Sequence, residues 1–426
     1  MPSPEDDIVL TGFGVVSPIG VGAEAFWKSL LDQRGGVVLT EPTDAVNGRR
    51  WMSGLINHFD PKSYVQPRKS LKVMCIEIQM AFAASVMACR QAGIQPGSVP
   101  PDRIGTVFGS EMLYSETDDI RSIVQLCRDG SEMNHQQWGA NAMQHMYPLW
   151  MLKSLPNMPA CHVGIWLDAR GHNNTLTNDE TSGLASLIEA AHVIRRGQAD
   201  CMLVGASGSK TSLTRLLHRD EANYSTSYEK PEAACKPFDR NRNGTVSGSG
   251  AGVVVLERRS HAEARGAKSM ARLLSWSSTF GRPERLSGGS SDAVARSISQ
   301  SLERANIDAQ QIDHVNASAK GMIDLDASEA QGIAKGVGDV PVTAIKGFVG
   351  DAGAGAGVME LCASLAGIAD RLVPATLNHQ QSSADCPVQV IHGRPKAWTK
   401  PCFIKTSLTP FGQAASVLFS VEEPVG

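Results

Sequence analysis

The apolar positions of this chain fall into short continuous runs separated by stretches in which they recur every three to four residues. That is the pattern of buried strands interleaved with helices. Extended runs are expected at residues 8–16, 104–110, 161–166, 199–206, 253–257 and 314–317. Helical spacing marks residues 71–92, where Ile76, Met80, Ala84 and Met87 share a face and Gly93 suits a C-cap. Residues 182–195 carry Leu184, Leu187, Ile188, Ala191 and Ile194 on one face, with Ala185, Ala190 and Val193 around the side. A helix so apolar around its circumference is expected to be buried. A last helix, 292–305, has Val294, Ile298 and Leu302 in register, and the charged residues 258–268 read as a connection.

With 426 residues the chain is long for a single hydrophobic core, so two domains or a duplicated one are expected. The 42% hydrophobic and 19% charged residues are those of a globular protein, and a net charge of -3 gives no footing for nucleic acid. No apolar run reaches the length of a membrane span, and the acidic start lacks the basic region of a signal peptide, so a cytoplasmic protein is expected. Nine scattered cysteines without C-x-x-C spacing point away from disulfides and from zinc; no metal and no cofactor is expected.

Residues 171–183, GHNNTLTNDETSG, lie between an extended run and the buried helix. Strand-to-helix turns of this kind expose a side chain at a helix N-terminus, where negative charge is favoured, and enzymes place nucleophiles there. Gly12-x-Gly14 follows a strand but opens no helix, so it is not a dinucleotide fingerprint.

Several stretches together resemble the β-ketoacyl synthases of the thiolase-like superfamily. The opening 9–20 resembles V-I-T-G-x-G-x-V-S-P-x-G, and 171–183 resembles G-P-N-x-x-x-x-T-A-C-x-S-G, with Gly171, Asn173, Ser182 and Gly183 matching. Residues 236–252 resemble R-P-F-D-x-x-R-D-G-x-V-x-G-E-G-A-G, with Asn243 and Ser249 replacing two acids. Residues 316–329 resemble N-A-H-G-T-x-T-x-x-x-D-x-x-E, where Asp326 and Glu329 match, and 342–351 resemble V-S-S-T-K-S-x-x-G-H, where Lys346 and Gly350 match; Gly357 and Glu360 follow in place. The family's gating loop aligns poorly with 406–414, where Pro410 would stiffen a loop that moves in active members.

The resemblance implies the α/β thiolase-like fold, two similar halves (1–257 and 258–426) in a layered αβαβα arrangement that commonly pairs into dimers. By the same alignment the acyl-accepting cysteine falls on Glu180, and the two histidines on Ser318 and Asp351. A carboxylate cannot carry the acyl chain as a thioester would, and an anion at 351 would oppose the enolate that the histidines stabilise, a donor typically worth about a hundred- to a thousandfold. No catalytic residue is therefore expected among these degenerate positions. Glu180, Asp351 and the retained Lys346 are expected to lie close together, closing the former pocket as a buried ion cluster or forming a new acid–base site.

The pattern of retained scaffold and lost chemistry resembles the chain-length factor, or β subunit, of type II polyketide synthases. It implies pairing with an active ketosynthase and work on acyl chains held by the phosphopantetheine of an acyl carrier protein. Residues 111–127 correspond to the dimer-interface region that walls the acyl tunnel, making Glu111, Met112 and Tyr114 tunnel candidates. Arg68, Lys69 and Lys72 form a basic cluster that is either a solvated face or a contact for an acidic carrier. The alternatives are a stand-alone enzyme using Glu180, Asp351 and Lys346, such as a malonyl-carrier-protein decarboxylase, or a ligand-binding role; a homodimer also fits the family interface.

Overall fold

In the computed structural model, which describes residues 7–41, 48–112, 117–217 and 219–422, the main path of one long mixed sheet is two five-stranded sheets joined edge to edge, with three short strands attached beside it. The first contains β1 (Ile8–Ser17), β2 (Ile104–Gly109), β3 (Asn173–Leu176), β4 (Cys201–Ser209) and β5 (Ser247–Arg258), in the order β1-β5-β4-β2-β3. The second contains β6 (Ala271–Phe280), β7 (Ile312–Asn316), β8 (Val342–Thr343), β9 (Cys402–Leu408) and β10 (Gln413–Val421), in the order β6-β10-β9-β7-β8. The second order is the first with five added to every label. The strand directions repeat as well: each sheet runs through two antiparallel pairings and then two parallel ones. β1 and β6 join the sheets through Ile8–Leu10 against Ala271–Leu273.

The helices repeat in the same way. α1 (Ile76–Ala92), α2 (Met158–Leu167) and α3 (Ser182–Arg195) follow β1, β2 and β3; α4 (Ser291–Ala305), α5 (Ile323–Val337) and α6 (Ala356–Ala366) follow β6, β7 and β8. α1 and α2 cover one sheet, α4 and α5 cover the other, and α3 and α6 lie between the two, which makes five layers. α3 and α6 are apolar nearly all round because they face a sheet on each side. Leu184, Leu187, Ile194, Val358, Leu361 and Leu365 pack with Val204, Val254, Phe403 and Val417 in the central core. Each such side chain contributes about 1.5–3 kcal/mol by leaving water. The glycines of the opening motif serve packing: a Cβ on Gly14 would sit 2.0 Å from the Ala84 carbonyl oxygen, so the gap lets α1 lie close on β1.

Several expected elements shift. Residues 161–166 are not extended but belong to α2, which has Pro159 in its first turn and ends at Asp168 in a left-handed conformation (φ 54°). A continuous apolar run does not distinguish strand from helix, and this one packs one side against α1 and β2 while Ile165 stays exposed. The strand ahead of the 171–183 turn is instead the polar Asn173–Leu176, at the sheet edge. α1 starts at Ile76, preceded by a tight 3-10 stretch Arg68–Val73; the 258–268 connection contains the helix Arg259–Ala264; and much of 406–414 belongs to the β9–β10 hairpin, with Pro410 in its turn. Among the described residues no helix is long and apolar enough to cross a membrane.

A buried ion cluster as the candidate functional site

The C-terminal ends of strands from both halves converge at the N-terminal ends of α3 and α6. Crevices at strand C-termini are where open α/β sheets place their ligands. Glu180 stands in the 3-10 turn Asp179–Thr181 that leads into α3, and Asp351 precedes the turn Gly353–Gly355 that leads into α6. The two carboxylates thus occupy equivalent places in the two halves. Ser318 and Lys320 lie between β7 and α5, and Lys210 follows β4 directly.

Glu180 and Asp351 share two ammonium groups. Lys320 Nζ bonds Glu180 Oε1 at very short range and Asp351 Oδ2 at 3.0 Å. Lys210 Nζ lies 3.3 Å from Glu180 Oε1 and 3.0 Å from Asp351 Oδ2. Gly353 N–H donates to the other Asp351 oxygen at 3.1 Å. Glu180, Asp351 and Lys320 are all at most 4% exposed. Burial by itself pushes the Glu180 carboxyl up, but Lys320 and Lys210 outweigh it and hold the group down at about 2. Burial likewise opposes the charge of Asp351, and Lys210, Lys320 and Lys346 bring it well below the usual carboxylate range. Both lysines stay protonated, since the two carboxylates overcome the effect of burial.

Lys346 does not pair with Glu180. Its Nζ donates to Ser318 O at 2.7 Å and Ser318 Oγ at 3.1 Å and lies 2.5 Å from Glu360 Oε1. Glu360 Oε2 takes Lys405 Nζ at 2.6 Å, which makes a second buried cluster of two lysines around one carboxylate. The expected Glu180–Lys346–Asp351 triangle is thus replaced by two clusters, because the lysine on the short turn Lys346–Val349 finds Glu360 of α6 and the serine carbonyl instead. The motif acids position these loops. Asp326 accepts the N–H groups of Lys320, Gly321 and Phe238, and Glu329 accepts the Ser318 N–H and the Thr406 hydroxyl.

Lys320 and Lys210 are the residues that sequence reasoning missed. A signal for Lys320 was present, since it falls at the first threonine of the N-A-H-G-T-x-T motif, where a buried cation must be matched by an anion. Lys210 had no motif of its own. Ser249, which replaces an acid, joins Ser209 and Thr211 in a triangle of hydroxyl contacts of 2.8–3.1 Å beside Lys210.

Of the tunnel candidates, Glu111 is buried 3.0 Å from Arg215, and burial, partly opposed by Arg215 and Lys210, pushes its carboxyl up to about 7. Met112 is exposed, and Tyr114 lies outside the described residues. Asp179, next to Glu180, is likewise pushed up to about 7, by burial first and then by the Glu180 charge. Among the described residues no set of three histidine, cysteine or carboxylate side chains converges to hold a metal ion. The cluster offers no nucleophile, and neither of its two central carboxylates is poised to exchange a proton near neutral pH.

Residues 5–262 match the family described as Beta-ketoacyl synthase, N-terminal domain, and residues 270–380 match its C-terminal domain. The chain is 30% identical over 379 residues to 3-oxoacyl-[acyl-carrier-protein] synthase 2 of Vibrio cholerae, covering 87% of this chain and 88% of the relative. It is 28% identical over 396 residues to the tetracenomycin polyketide synthase ketoacyl synthase alpha subunit of Streptomyces glaucescens, covering 91% and 90%. Its fold is shared with the ishigamide ketosynthase/chain length factor, at a TM-score of 0.83 and 24% identity over 98% of this chain and 100% of the other. A type II polyketide ketosynthase solved with its acyl-carrier protein matches at a TM-score of 0.83 and 22% identity, over 98% and 100%.

Proposed function

Because the chain belongs to the β-ketoacyl synthase family, we propose that it is a non-catalytic, chain-length-factor-like subunit that pairs with an active ketosynthase and shapes a shared acyl tunnel. The observation that carries this is the ion cluster. At the turn where a condensing enzyme needs a thiolate, Glu180 is buried, ionised and held by two lysines, and Asp351 opposes any enolate. On this view the halves divide at residues 257 and 258, and the positions Glu180, Ser318 and Asp351 are structural.

The surface supports a partner. Met112, Leu126, Met143, Leu149, Met151 and Ile165 are exposed apolar side chains grouped between residues 112 and 165. Among the described residues β3 has only β2 beside it, so its other edge is open there to pairing. Arg68, Lys69 and Lys72 are exposed and carry no ion pair among the described residues, a surface suited to an acidic carrier protein. The stand-alone alternative would rest on Asp179, whose carboxyl beside Glu180 is pushed up to about 7, since Glu180 and Asp351 themselves both lie low.

Native mass spectrometry of this chain alone and with a cysteine-bearing type II polyketide ketosynthase tests the role. A one-to-one complex that outcompetes self-association is expected. A stable homodimer that ignores the ketosynthase would overturn the proposal.

A further inference from the structure

In the connection from α6 to β9 the imidazoles of His379 and His392 lie side by side, with ring centroids 5.3 Å apart and planes inclined by 50°. His379 is 5% exposed, and its Nδ1 makes a 3.2 Å hydrogen bond to the carbonyl oxygen of Pro237, which belongs to the segment between β4 and β5. A carbonyl only accepts, so Nδ1 carries the proton and Nε2 of the neutral ring keeps a lone pair. Burial holds this ring below the usual imidazole pKa, against the Pro237 bond and the Asp239 charge, so it is neutral at pH 7. Nε2 is itself buried and meets no hydrogen-bond donor among the described residues. Leaving a buried acceptor without a partner is costly.

The loop that carries His379 is clamped on both sides. Asn378, at φ 66°, donates to the Glu232 and Cys235 carbonyls at 2.8 and 3.0 Å. The N–H groups of Gln380 and Gln381 donate to Asp239 Oδ2 at 2.7 and 2.8 Å. A rigid imidazole whose second nitrogen is tied to a backbone carbonyl is the arrangement of a metal-binding histidine, because the tie fixes both tautomer and ring direction. His392 supplies a second ring. It is exposed, its nitrogens make no hydrogen bond or ion pair among the described residues, and a backbone bridge to Thr376 holds it in place. Two imidazoles bound at about 2.0–2.1 Å to one tetrahedral ion have centroids roughly 5 Å apart, which matches this pair.

We propose that His379 Nε2 and His392 hold one divalent ion of the zinc, nickel and copper class that imidazole suits, with water completing its coordination. Among the described residues no third histidine, cysteine or carboxylate joins them, and both oxygens of Asp239 are already taken by backbone N–H groups. The ion ties exposed His392 to a loop that is clamped on the other half of the molecule, so it braces the two halves against each other. The site shares no residue with either ion cluster and stands apart from the subunit role.

The test is titration of the metal-free full chain with Zn²⁺ by calorimetry and with Cu²⁺ by electron paramagnetic resonance. One saturable equivalent is expected, with hyperfine coupling to two nitrogens and a raised thermal midpoint when Zn²⁺ is bound. His392→Ala changes an exposed side chain and should fold as the native chain does. It should weaken that equivalent about tenfold or more, reduce the coupling to one nitrogen and abolish the thermal shift. His379→Gln should weaken binding likewise, whereas His135→Ala, at an exposed histidine in the first half, should change nothing. Absence of a saturable equivalent, or one that is indifferent to His392→Ala, would overturn the site and leave water as the partner of Nε2.

Discussion

At the residue scale the central fact is that four charges were buried together. A buried ion pair adds little net stability over apolar residues of similar volume, but removing one partner strands the other. Lys320→Met should therefore destabilise the chain by about 3–5 kcal/mol in urea unfolding, since Glu180 and Asp351 would be left with Lys210 alone. The pH dependence has a definite sign. Glu180 falls from its ordinary 4.5 to about 2 in the folded chain, so its stabilising contribution is complete above pH about 4.5 and is lost as pH falls toward 2. Urea midpoints measured between pH 5 and 2.5 should drop steeply in the native chain and less steeply in Glu180→Gln. Asp179 acts in the opposite sense: its folded carboxyl titrates at about 7, so its contribution declines as pH rises from about 4 through 7. Asp179→Asn, which tolerates the local φ of 51°, should remove that decline. Restoring a thiol alone should not restore chemistry. Glu180→Cys leaves Lys320, Lys210 and Asp351 in place, and intact-mass analysis after incubation with malonyl and acyl carrier proteins should show no condensed product.

At the element scale the decisive feature is how closely helices approach the sheets. Gly14 on β1 faces α1, and Gly252 on β5 faces α6, where an added Cβ would stand 2.5 Å from Met359 N. Gly14→Val should cost about 1–3 kcal/mol or more through overpacking, read as a lowered urea midpoint with little change in slope. The helices themselves were legible, because α1, α3 and α4 carry their apolar spacing in full view. α2 was not, because a mostly apolar segment has no clear period to read, and its helical state came from packing one side against α1 and β2. β3 was hidden for the complementary reason. It is a polar edge strand, Asn-Asn-Thr-Leu, held by β2 and carrying no alternation of its own.

At the scale of the whole molecule, the repeat of strand order and helix placement brings two helix N-termini together, and with them Glu180 and Asp351. On the proposed subunit role, the exposed apolar side chains between 112 and 165 and the edge of β3 are the candidates for the surface that a partner would cover. Met143 and Ile165 are 91% and 78% exposed, so Met143→Glu with Ile165→Lys should leave thermal stability nearly unchanged while weakening the complex with the ketosynthase, as measured by native mass spectrometry. Loss of fold in that double variant would mean that these side chains support the chain's own core instead.

The sequence by itself determined the family, the layered fold and the loss of the thiol and histidines, because those are written in ordered motifs and local periodicity. It also placed Asp326 and Glu329, whose part in tethering the loops follows from fixed motif spacing. The structural duplication and the partners within the ion cluster were decided only by the tertiary structure. Lys320 and Glu180 are 140 residues apart, as are Asp351 and Lys210 at 141, and no local pattern specifies which charge meets which. Strand order does so by bringing the ends of β4 and β7 to the mouths of α3 and α6, and the low dielectric there makes each buried charge depend on its partner.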